Sequence, residues 1–214
     1  MRPVARDGFP LIGGVALACA AGGVYDVHLA LGILPLLALV IWFFRDPERT
    51  TTAGPGSFVS PADGKVVEVG SAFHPFVGNA TRVGIFMSPL DVHVNRAPFA
   101  GIVAHLEYVP GARWMAFDPK ASERNERFFV GLDTAVGPVI ITQVAGFLAR
   151  RIVCRLIRGD RLERGERYGM IKLGSRVDLY LPPAVECVVA VGQRVRAGET
   201  TIGVVRDGPE TQGA

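Results

Sequence analysis

The sequence has few of the side chains on which disulfide-rich, metal-binding and nucleic-acid-binding proteins depend. Its three cysteines, Cys19, Cys154 and Cys187, are scattered without C-x-x-C spacing, which predicts buried thiols in a reducing compartment. Its four histidines form no His-x-His or His-x-x-x-His pair, so we predict no metal site. No zinc finger and no run of interleaved aromatic and basic residues is present, and nucleic acid is therefore not an expected partner.

Apolar residues are in excess, at 49% of 214 residues, and the excess lies near the N-terminus. Residues 9–25 and 29–44 are almost entirely apolar and are separated by a short polar break at Asp26 and His28. Each run reaches the lower length limit of a membrane-spanning helix. Basic residues lie at the outer end of each run, at Arg2, Arg6, Arg45 and Arg49.

These two runs predict a helical hairpin that anchors residues 1–50 in the cell membrane. Basic residues at both outer ends place both ends on the cytoplasmic side. The remaining residues, 51–214, would then form a catalytic domain on the cytoplasmic face. A secretory signal peptide and a re-entrant or interfacial arrangement of the short runs are the alternatives. The net charge of +3 also suits an anionic membrane surface.

Beyond the hairpin, the pattern is typical of a mainly β domain, either a barrel or a sandwich. Short β-prone runs are separated by turn residues. The predicted strands cover 64–69, 81–87, 101–109, 127–132, 136–144, 150–156, 176–181 and 201–206. Residues 119–125 are the clearest candidate for a helix or an ordered loop.

Residues 60–69 form a Pro/Gly turn that feeds a strand, residues 192–203 form a glycine-bounded hairpin that enters another, and the two segments look like half-copies of one unit. Both are similar to the hammerhead segments of lipoyl- and biotinyl-carrier domains, which predicts interlocking hairpins. A carrier domain would expose a modified lysine at the tip of a hairpin. No lysine stands in that context here, so this likeness bears on architecture alone.

Polar residues that could carry chemistry follow the strand predicted at 81–87. Asp91, His93 and Asn95 alternate, so a continued strand would place all three on one face. Histidine is suited to moving protons near neutral pH, although a lone histidine is more often structural. Asp63, between a proline and a glycine, is either an Asx-turn residue or a carboxylate that orients His93.

The stretch around Gly174 and Ser175 precedes a predicted strand with clear alternation. Val177, Leu179 and Leu181 fall on one side and three polar residues fall on the other, which predicts a half-buried strand. The Gly-Ser pair is either a simple turn or a strained one, in which Ser175 Oγ reaches the preceding carbonyl. No Gly-x-Ser-x-Gly elbow surrounds the serine, so an ordinary serine hydrolase is not indicated.

Several short runs, taken together and in order, resemble the phosphatidylserine decarboxylase family in its short form. They cover nearly the whole chain and are FRDPER (44–49), SPADG (60–64), SPLDVHVNR (88–96), Lys120 with NER (125–127), QVAG (143–146), GMI (169–171) and GSRVD (174–178). The resemblance implies a proenzyme that cleaves itself between Gly174 and Ser175. The products would be a β chain of residues 1–174 and an α chain of residues 175–214.

The resemblance also implies the chemistry. Asp63 and His93 would activate the Ser175 hydroxyl, and Ser175 would become a covalent pyruvoyl group. That group would form a Schiff base with phosphatidylserine, which would lose CO₂ and give phosphatidylethanolamine, with His93 protonating the carbanion. Candidates for holding the substrate or supporting the site are Asn95, Arg96, Lys120, Asn125 and Glu126. The implied partners are a phospholipid at the membrane and the two cleavage products, as an α/β heterodimer that could associate further.

One feature departs from the family pattern. Longer members carry two histidines in the motif around His93, whereas Arg96 stands where the second would fall. Two other classes of protein share parts of the pattern. A membrane-anchored metallopeptidase-like domain would need the missing histidine pair, and a hammerhead-type carrier or scaffold would need the missing lysine tip.

Overall fold

A computed structural model describes residues 3–112, 114–118, 121–147, 151–172 and 174–206. The chain divides into two compact units. One runs to Glu48 and includes Leu90–Val92, and the other contains Arg49–Pro89 and the chain from His93 onward. The first unit is helical and the second is almost entirely β. This confirms the prediction of a mainly β protein preceded by a helical hairpin.

The helical unit consists of two apolar helices, α1 (Phe9–Tyr25) and α2 (Val27–Phe43). Asp26 caps α2 because its side chain accepts a hydrogen bond from the backbone N–H of His28 at 2.9 Å. A 20-residue helical stretch, Arg6–Tyr25, is long and apolar enough to cross a membrane, whereas Val27–Phe43 is apolar but shorter. The hairpin is therefore consistent with membrane association.

The β unit contains fourteen strands within the described residues. In spatial order, the largest sheet contains β13 (Arg194–Val195), β2 (Gly64–His74), β3 (Gly78–Met87), β11 (Ser175–Leu181), β7 (Gly137–Ala145), β6 (Arg127–Thr134), β5 (Gly101–Val109) and β9 (Arg161–Leu162). One smaller sheet contains β1 (Ser57–Val59), β14 (Thr201–Val205) and β12 (Val185–Cys187). The other contains β4 (Val94–Arg96), β10 (Arg167–Lys172) and β8 (Arg151–Cys154). Neighbouring strands are antiparallel, and the large sheet curls into a half-barrel.

Each of the eight strands predicted from the sequence is present. The strand predicted at 101–109 has the predicted bounds, and the others differ mainly by a few residues at their ends. Most of the strands that were not predicted have only two or three residues. The short helix α3 (Ala121–Arg124) lies within the predicted 119–125 segment. Lys120, one of the candidate site residues, lies outside the described residues.

The two hairpin segments predicted to interlock do pair with each other. Lys65 faces Arg194 and Gly64 faces Val195 in the ladder between β2 and β13. The Gly198 N–H also donates to the Ser60 carbonyl at 2.8 Å. The chain before β2 and the chain after β13 are thus joined by backbone hydrogen bonds.

Strand β11 is buried on both faces, so the prediction of a half-buried strand was wrong. It lies between β3 and β7, and Val177, Leu179 and Leu181 belong to the hydrophobic core as predicted. Its other face carries Arg176 and Asp178, which are each 1% exposed. Alternation of polar and apolar residues did not report exposure here, because the polar residues pair with charged partners inside the protein.

Arg176 is the centre of that buried ion network. Its Nε donates to Asp178 Oδ1 at 2.5 Å, and its Nη2 donates to Glu68, which also pairs with Arg82. Burial disfavours the Arg176 charge, but attraction to Asp178 and Glu68 outweighs burial and raises the pKa of Arg176. Gly84 leaves the necessary space, since a Cβ there would overlap the guanidinium group.

Two further expectations were wrong. The three cysteines are free, as expected, but each is only partly buried. Asp91, His93 and Asn95 do not continue one strand, because β3 ends at Met87 and β4 begins at Val94. A turn at Pro89 and Leu90 interrupts the alternation, so the three side chains do not share a strand face.

We predict that Asp178→Leu lowers the free energy of unfolding by about 3 kcal/mol, because Arg176 then remains buried with one carboxylate fewer. Adding Arg176→Met should recover part of this loss, since the double variant buries neither charge. Chemical unfolding in detergent measures both values. All variants carry Ser175→Ala, so that the expected chain break does not contribute. Glu107→Gln, in an exposed pair with His105, is the control. Additive losses in the double variant would contradict this account.

Candidate active site

The Gly174–Ser175 peptide lies where three strand ends meet. Ser175 is the first residue of β11 and faces Met87, the last residue of β3, on one side. On the other side it faces Ala145, the last residue of β7. Ser175 is fully buried. The serine is therefore fixed from both edges of its strand, while the chain before it leaves the sheet.

Gly174 has a backbone conformation of the kind expected for a strained turn before Ser175. Its φ is +58°, in the left-handed region that favours glycine. Its carbonyl packs directly against Gly146, where an added Cβ would overlap the carbonyl oxygen and lie 3.0 Å from the carbonyl carbon. The missing side chain at Gly146 thus makes room for the carbonyl that precedes the serine.

A chain of buried polar contacts leads to the serine hydroxyl. Ser175 Oγ donates to the Met87 sulfur at 3.4 Å, and Asn95 Nδ2 donates to the same sulfur at 3.7 Å. Asn95 Oδ1 in turn accepts from Gln143 Nε2 at 2.9 Å. A thioether is a weak acceptor, so it orients the hydroxyl without removing its proton. Deprotonation of Ser175 would require a base.

Asn125 fixes the loop that lies next to this strand end. Its side chain is fully buried and bonds both backbone groups of Trp114, each at 2.9 Å. Asn125 Nδ2 also donates to the Ala145 carbonyl at 2.7 Å. The backbone carbonyl of Glu126 accepts from the Ala145 N–H at 2.9 Å. Asn125 and Glu126 therefore support the residue that faces Ser175.

His93 is fully buried and immediately precedes β4. Its carbonyl accepts from the Ile171 N–H at 3.3 Å, and β4 pairs with β10 just before the Gly174 turn. The described backbone thus connects His93 to the segment that carries Ser175. Whether its imidazole serves as the base stays a prediction.

Asp63 is buried, and both of its carboxylate oxygens accept hydrogen bonds. Its Oδ2 accepts from Arg49 Nη2 at 2.9 Å, and its Oδ1 accepts from the Ala197 N–H at 2.7 Å. Arg49 also bonds Glu199 at 3.1 Å. These contacts fix the position of the carboxylate within the β unit. The proposed relay from Asp63 through His93 to Ser175 stays a prediction.

Arg96 is 4% exposed, and two of its contacts are with backbone carbonyls. Its N–H donates to the Pro61 carbonyl at 2.9 Å and its Nη1 to the Gly165 carbonyl at 3.0 Å. The segment that carries Asp63 and the segment that carries His93 therefore lie side by side. These contacts give Arg96 a role in holding the two segments together.

Sequence reasoning missed Met87 and Gly146 as individual site residues. Neither a methionine nor a glycine signals chemistry on its own. Their importance follows from strand register, which pairs Met87 with Ser175 and ends β7 just before Gly146. Within the described residues, no group of three or more His, Cys, Asp or Glu side chains could hold a metal ion.

Comparison with known proteins adds an independent result. The sequence profile named phosphatidylserine decarboxylase matches residues 36–203. A phosphatidylserine decarboxylase proenzyme of Symbiobacterium thermophilum is 51% identical over 209 residues, covering 94% of this chain and 96% of the relative. One of Chlorobium phaeobacteroides (strain DSM 266) is 50% identical over 175 residues, covering 81% of this chain and 82% of the relative.

The matched residues include the Gly174–Ser175 turn and the strands that hold it. They also include Asp63, His93, Asn95 and Asn125. By the extent of the profile match and the identity to both relatives, this chain belongs to the phosphatidylserine decarboxylase family.

Proposed function

We propose that this decarboxylase converts phosphatidylserine to phosphatidylethanolamine and CO₂ with a pyruvoyl group made from its own Ser175. The observation that carries the proposal is the geometry of the Gly174–Ser175 peptide. A left-handed Gly174 presents its carbonyl against Gly146, and a buried serine follows at once. The names of the relatives, which include the word proenzyme, support the same conclusion.

The first reaction is self-processing. Ser175 Oγ attacks the Gly174 carbonyl carbon, the C–N bond breaks, and the amide becomes an ester with a free amine at residue 175. Loss of the Ser175 Cα proton then breaks the Cβ–Oγ bond, and Gly174 leaves as a carboxylate. Water replaces the nitrogen of the resulting dehydroalanine, which releases ammonia and leaves a pyruvoyl group at the start of β11.

We assign proton removal from Ser175 Oγ to His93, with Asp63 orienting the imidazole. The surroundings of the hydroxyl support the need for such a base, since the hydroxyl donates to the neutral Met87 sulfur, which Asn95 also contacts. Burial of Ser175 limits the access of water, which slows hydrolysis of the ester before elimination, and one water molecule must enter for the later release of ammonia.

The pyruvoyl group suits the second reaction. When it condenses with the substrate amine as a Schiff base, it provides the electron sink that loss of CO₂ requires. A neighbouring acid must then protonate the carbanion, and His93 is the residue to which we assign this step. A pyruvoyl group fits at position 175 because it is no larger than the buried serine from which it forms.

We also propose that the helical hairpin anchors the protein with its β unit on the cytoplasmic face. The apolar length of Arg6–Tyr25 and the basic residues beyond both ends of the hairpin support this orientation. The anchor would keep the site at the surface in which the diacyl substrate resides. The two cleavage products would form an α/β heterodimer.

Ser175→Ala should give one uncleaved chain of 214 residues without decarboxylase activity, since no hydroxyl is present to attack Gly174. The wild type should give two fragments, and the C-terminal one should be blocked to Edman degradation. Mass spectrometry measures cleavage, and release of CO₂ from phosphatidylserine labelled in its serine carboxyl group measures decarboxylation. Ser71→Ala, on β2, is the control and should be cleaved. Release of CO₂ by Ser175→Ala would disprove the pyruvoyl assignment.

Gly146→Ala should slow self-cleavage at least about tenfold, because the new methyl group overlaps the Gly174 carbonyl and displaces it from attack. The fraction of cleaved chain over time after synthesis measures the rate. Gly70→Ala is a matched control, since a Cβ there meets nothing within 4 Å. Equal cleavage rates for the two variants would show that the packing of this carbonyl does not matter.

His93→Gln should leave the chain largely uncleaved if His93 is the processing base. His105→Gln, which changes a partly exposed histidine on β5, should be cleaved normally. Gel electrophoresis separates the precursor from its products. Normal cleavage together with lost decarboxylation would restrict His93 to the second reaction and assign the processing base to another residue.

A further inference from the structure

Four large apolar side chains are exposed close to the Gly174–Ser175 peptide. They are Trp114, Met115, Phe117 and Phe147, with exposed fractions of 52%, 52%, 57% and 63%. We call them the apolar rim. Three lie on one loop, and Phe147 follows Gly146. Such a cluster of exposed apolar residues typically marks a surface that binds a protein or a membrane.

The rim is fixed to the site. Asn125 holds both backbone groups of Trp114 and also the carbonyl of Ala145, which faces Ser175 in the sheet. Ala116, between the exposed residues, is buried, and its Cβ would lie 3.0 Å from a Cβ added to Gly146. The loop therefore turns a small residue inward against the site and large residues outward.

A ring contact provides a second attachment. Phe117 packs edge-to-face on Phe86, with ring centroids 5.9 Å apart. Phe86 faces Arg176 in the ladder between β3 and β11. Both ends of the described loop, 114–118, are thus attached to residues that pair with the first two residues of β11.

We propose that the apolar rim inserts into the surface of a phospholipid bilayer, as a membrane contact in addition to the helical hairpin. The inference rests on the proposed function for its substrate, a lipid whose head group must reach residue 175. A rim in the bilayer would bring that head group to the site while the acyl chains stay in the membrane. The hairpin alone would tether the β unit without orienting the site.

The chemistry of the rim favours a bilayer over other occupants. Tryptophan is enriched at the boundary between acyl chains and head groups, because its ring is apolar and its N–H is polar. The Arg124 guanidinium lies over the Trp114 ring, 5.7 Å from the centroid. This places a cation beside the ring, where it can meet the phosphate groups of an anionic membrane.

Tryptophan fluorescence tests the insertion directly. The chain has two tryptophans, so Trp42→Phe leaves Trp114 as the only one. The full-length variant is reconstituted into phosphatidylserine-containing vesicles with or without bromine on the acyl chains. We expect bromine to reduce Trp114 emission, and bromine near the head group to reduce it most. Trp114→Phe, which leaves Trp42 in α2, is the positive control. Unchanged Trp114 emission, with Trp42 quenched, would overturn the proposal.

Activity on two forms of substrate separates the bilayer from other occupants. For the double variant Trp114→Ser, Phe117→Ser, the ratio of activity on vesicles to activity on dispersed short-chain phosphatidylserine should fall about tenfold. Phe73→Ser, a 70% exposed phenylalanine on β2, should leave the ratio unchanged. An equal fall in activity on both substrates would indicate that the rim binds the acyl chains of individual lipid molecules. If the wild type is a dimer and the double variant is a monomer, the rim is instead a contact with a second copy of the chain. Either result would overturn the proposal.

The two readouts keep this inference separate from the proposed function. Quenching of Trp114 does not depend on cleavage or decarboxylation, so it can be positive even in a Ser175→Ala chain. Loss of CO₂ release in Ser175→Ala tests the pyruvoyl assignment and is independent of the rim. A quenched Trp114 in a protein that does not decarboxylate phosphatidylserine would retain the membrane contact and reject the function.

Discussion

The burial of β11 on both faces, together with hydrogen bonding along both of its edges, is the constraint on which the site depends. The strand pairs with β3 from Ser175 to Leu181 and with β7 from Ser175 to Tyr180. One face packs in the hydrophobic core, and the other carries Arg176, which is paired with Asp178 and Glu68. Shifting the strand by one residue would place a charge in the core and an apolar residue in the ion network. The register of β11, and with it the position of Ser175, is therefore strongly specified.

The backbone before Ser175 is constrained in a different way. Gly174 leaves the ladder with a left-handed φ, and its carbonyl faces Gly146 rather than a strand partner. The peptide bond joins a serine that is fixed in the sheet to a glycine in a left-handed conformation, so its geometry can change little. The restraint is local and the surrounding sheet maintains it, which fits the cleavage that we propose at this one position.

Much of the fold could be predicted because local patterns and tertiary structure agree. The strand at 101–109 alternates and ends at turn residues, and it forms with the predicted bounds. Strand β10, at Arg167–Lys172, gave no comparable alternation and was missed. The polar face of β11 was predicted to be exposed, since a sequence shows that Arg176 is charged but not that Glu68, 108 residues away, will meet it. Burial of a charge depends on its partners, which only the folded chain brings together.

The residues of the site likewise include some that the sequence indicated and others that only the folded structure reveals. The order of short motifs pointed to Ser175, Asn95 and Asn125, and the structure places the last two in contacts with residues that face Ser175. Met87 could not be found from sequence, because a methionine has no chemical signal of its own and its role follows from pairing with Ser175. Asp63 and His93 were predicted as partners from their chemistry. The contacts described for Asp63, with Arg49 and Ala197, show how the carboxylate is held and not what it orients.

The double burial of β11 also explains how a cleaved protein could keep working. If the chain breaks before Ser175, the fragment of residues 175–214 retains β11 in the middle of the sheet, and β13 and β14 remain paired with β2 and β1. The break removes one covalent link but none of these ladders, and the Arg176–Glu68 ion pair joins the two fragments within two residues of the new end. Separation would expose a strand with two unpaired edges and leave buried charges without partners, which costs several kcal/mol for the ion pair alone. The new N-terminus is thus expected to stay where Ser175 was, beside Met87 and Ala145, with no rearrangement of the sheet.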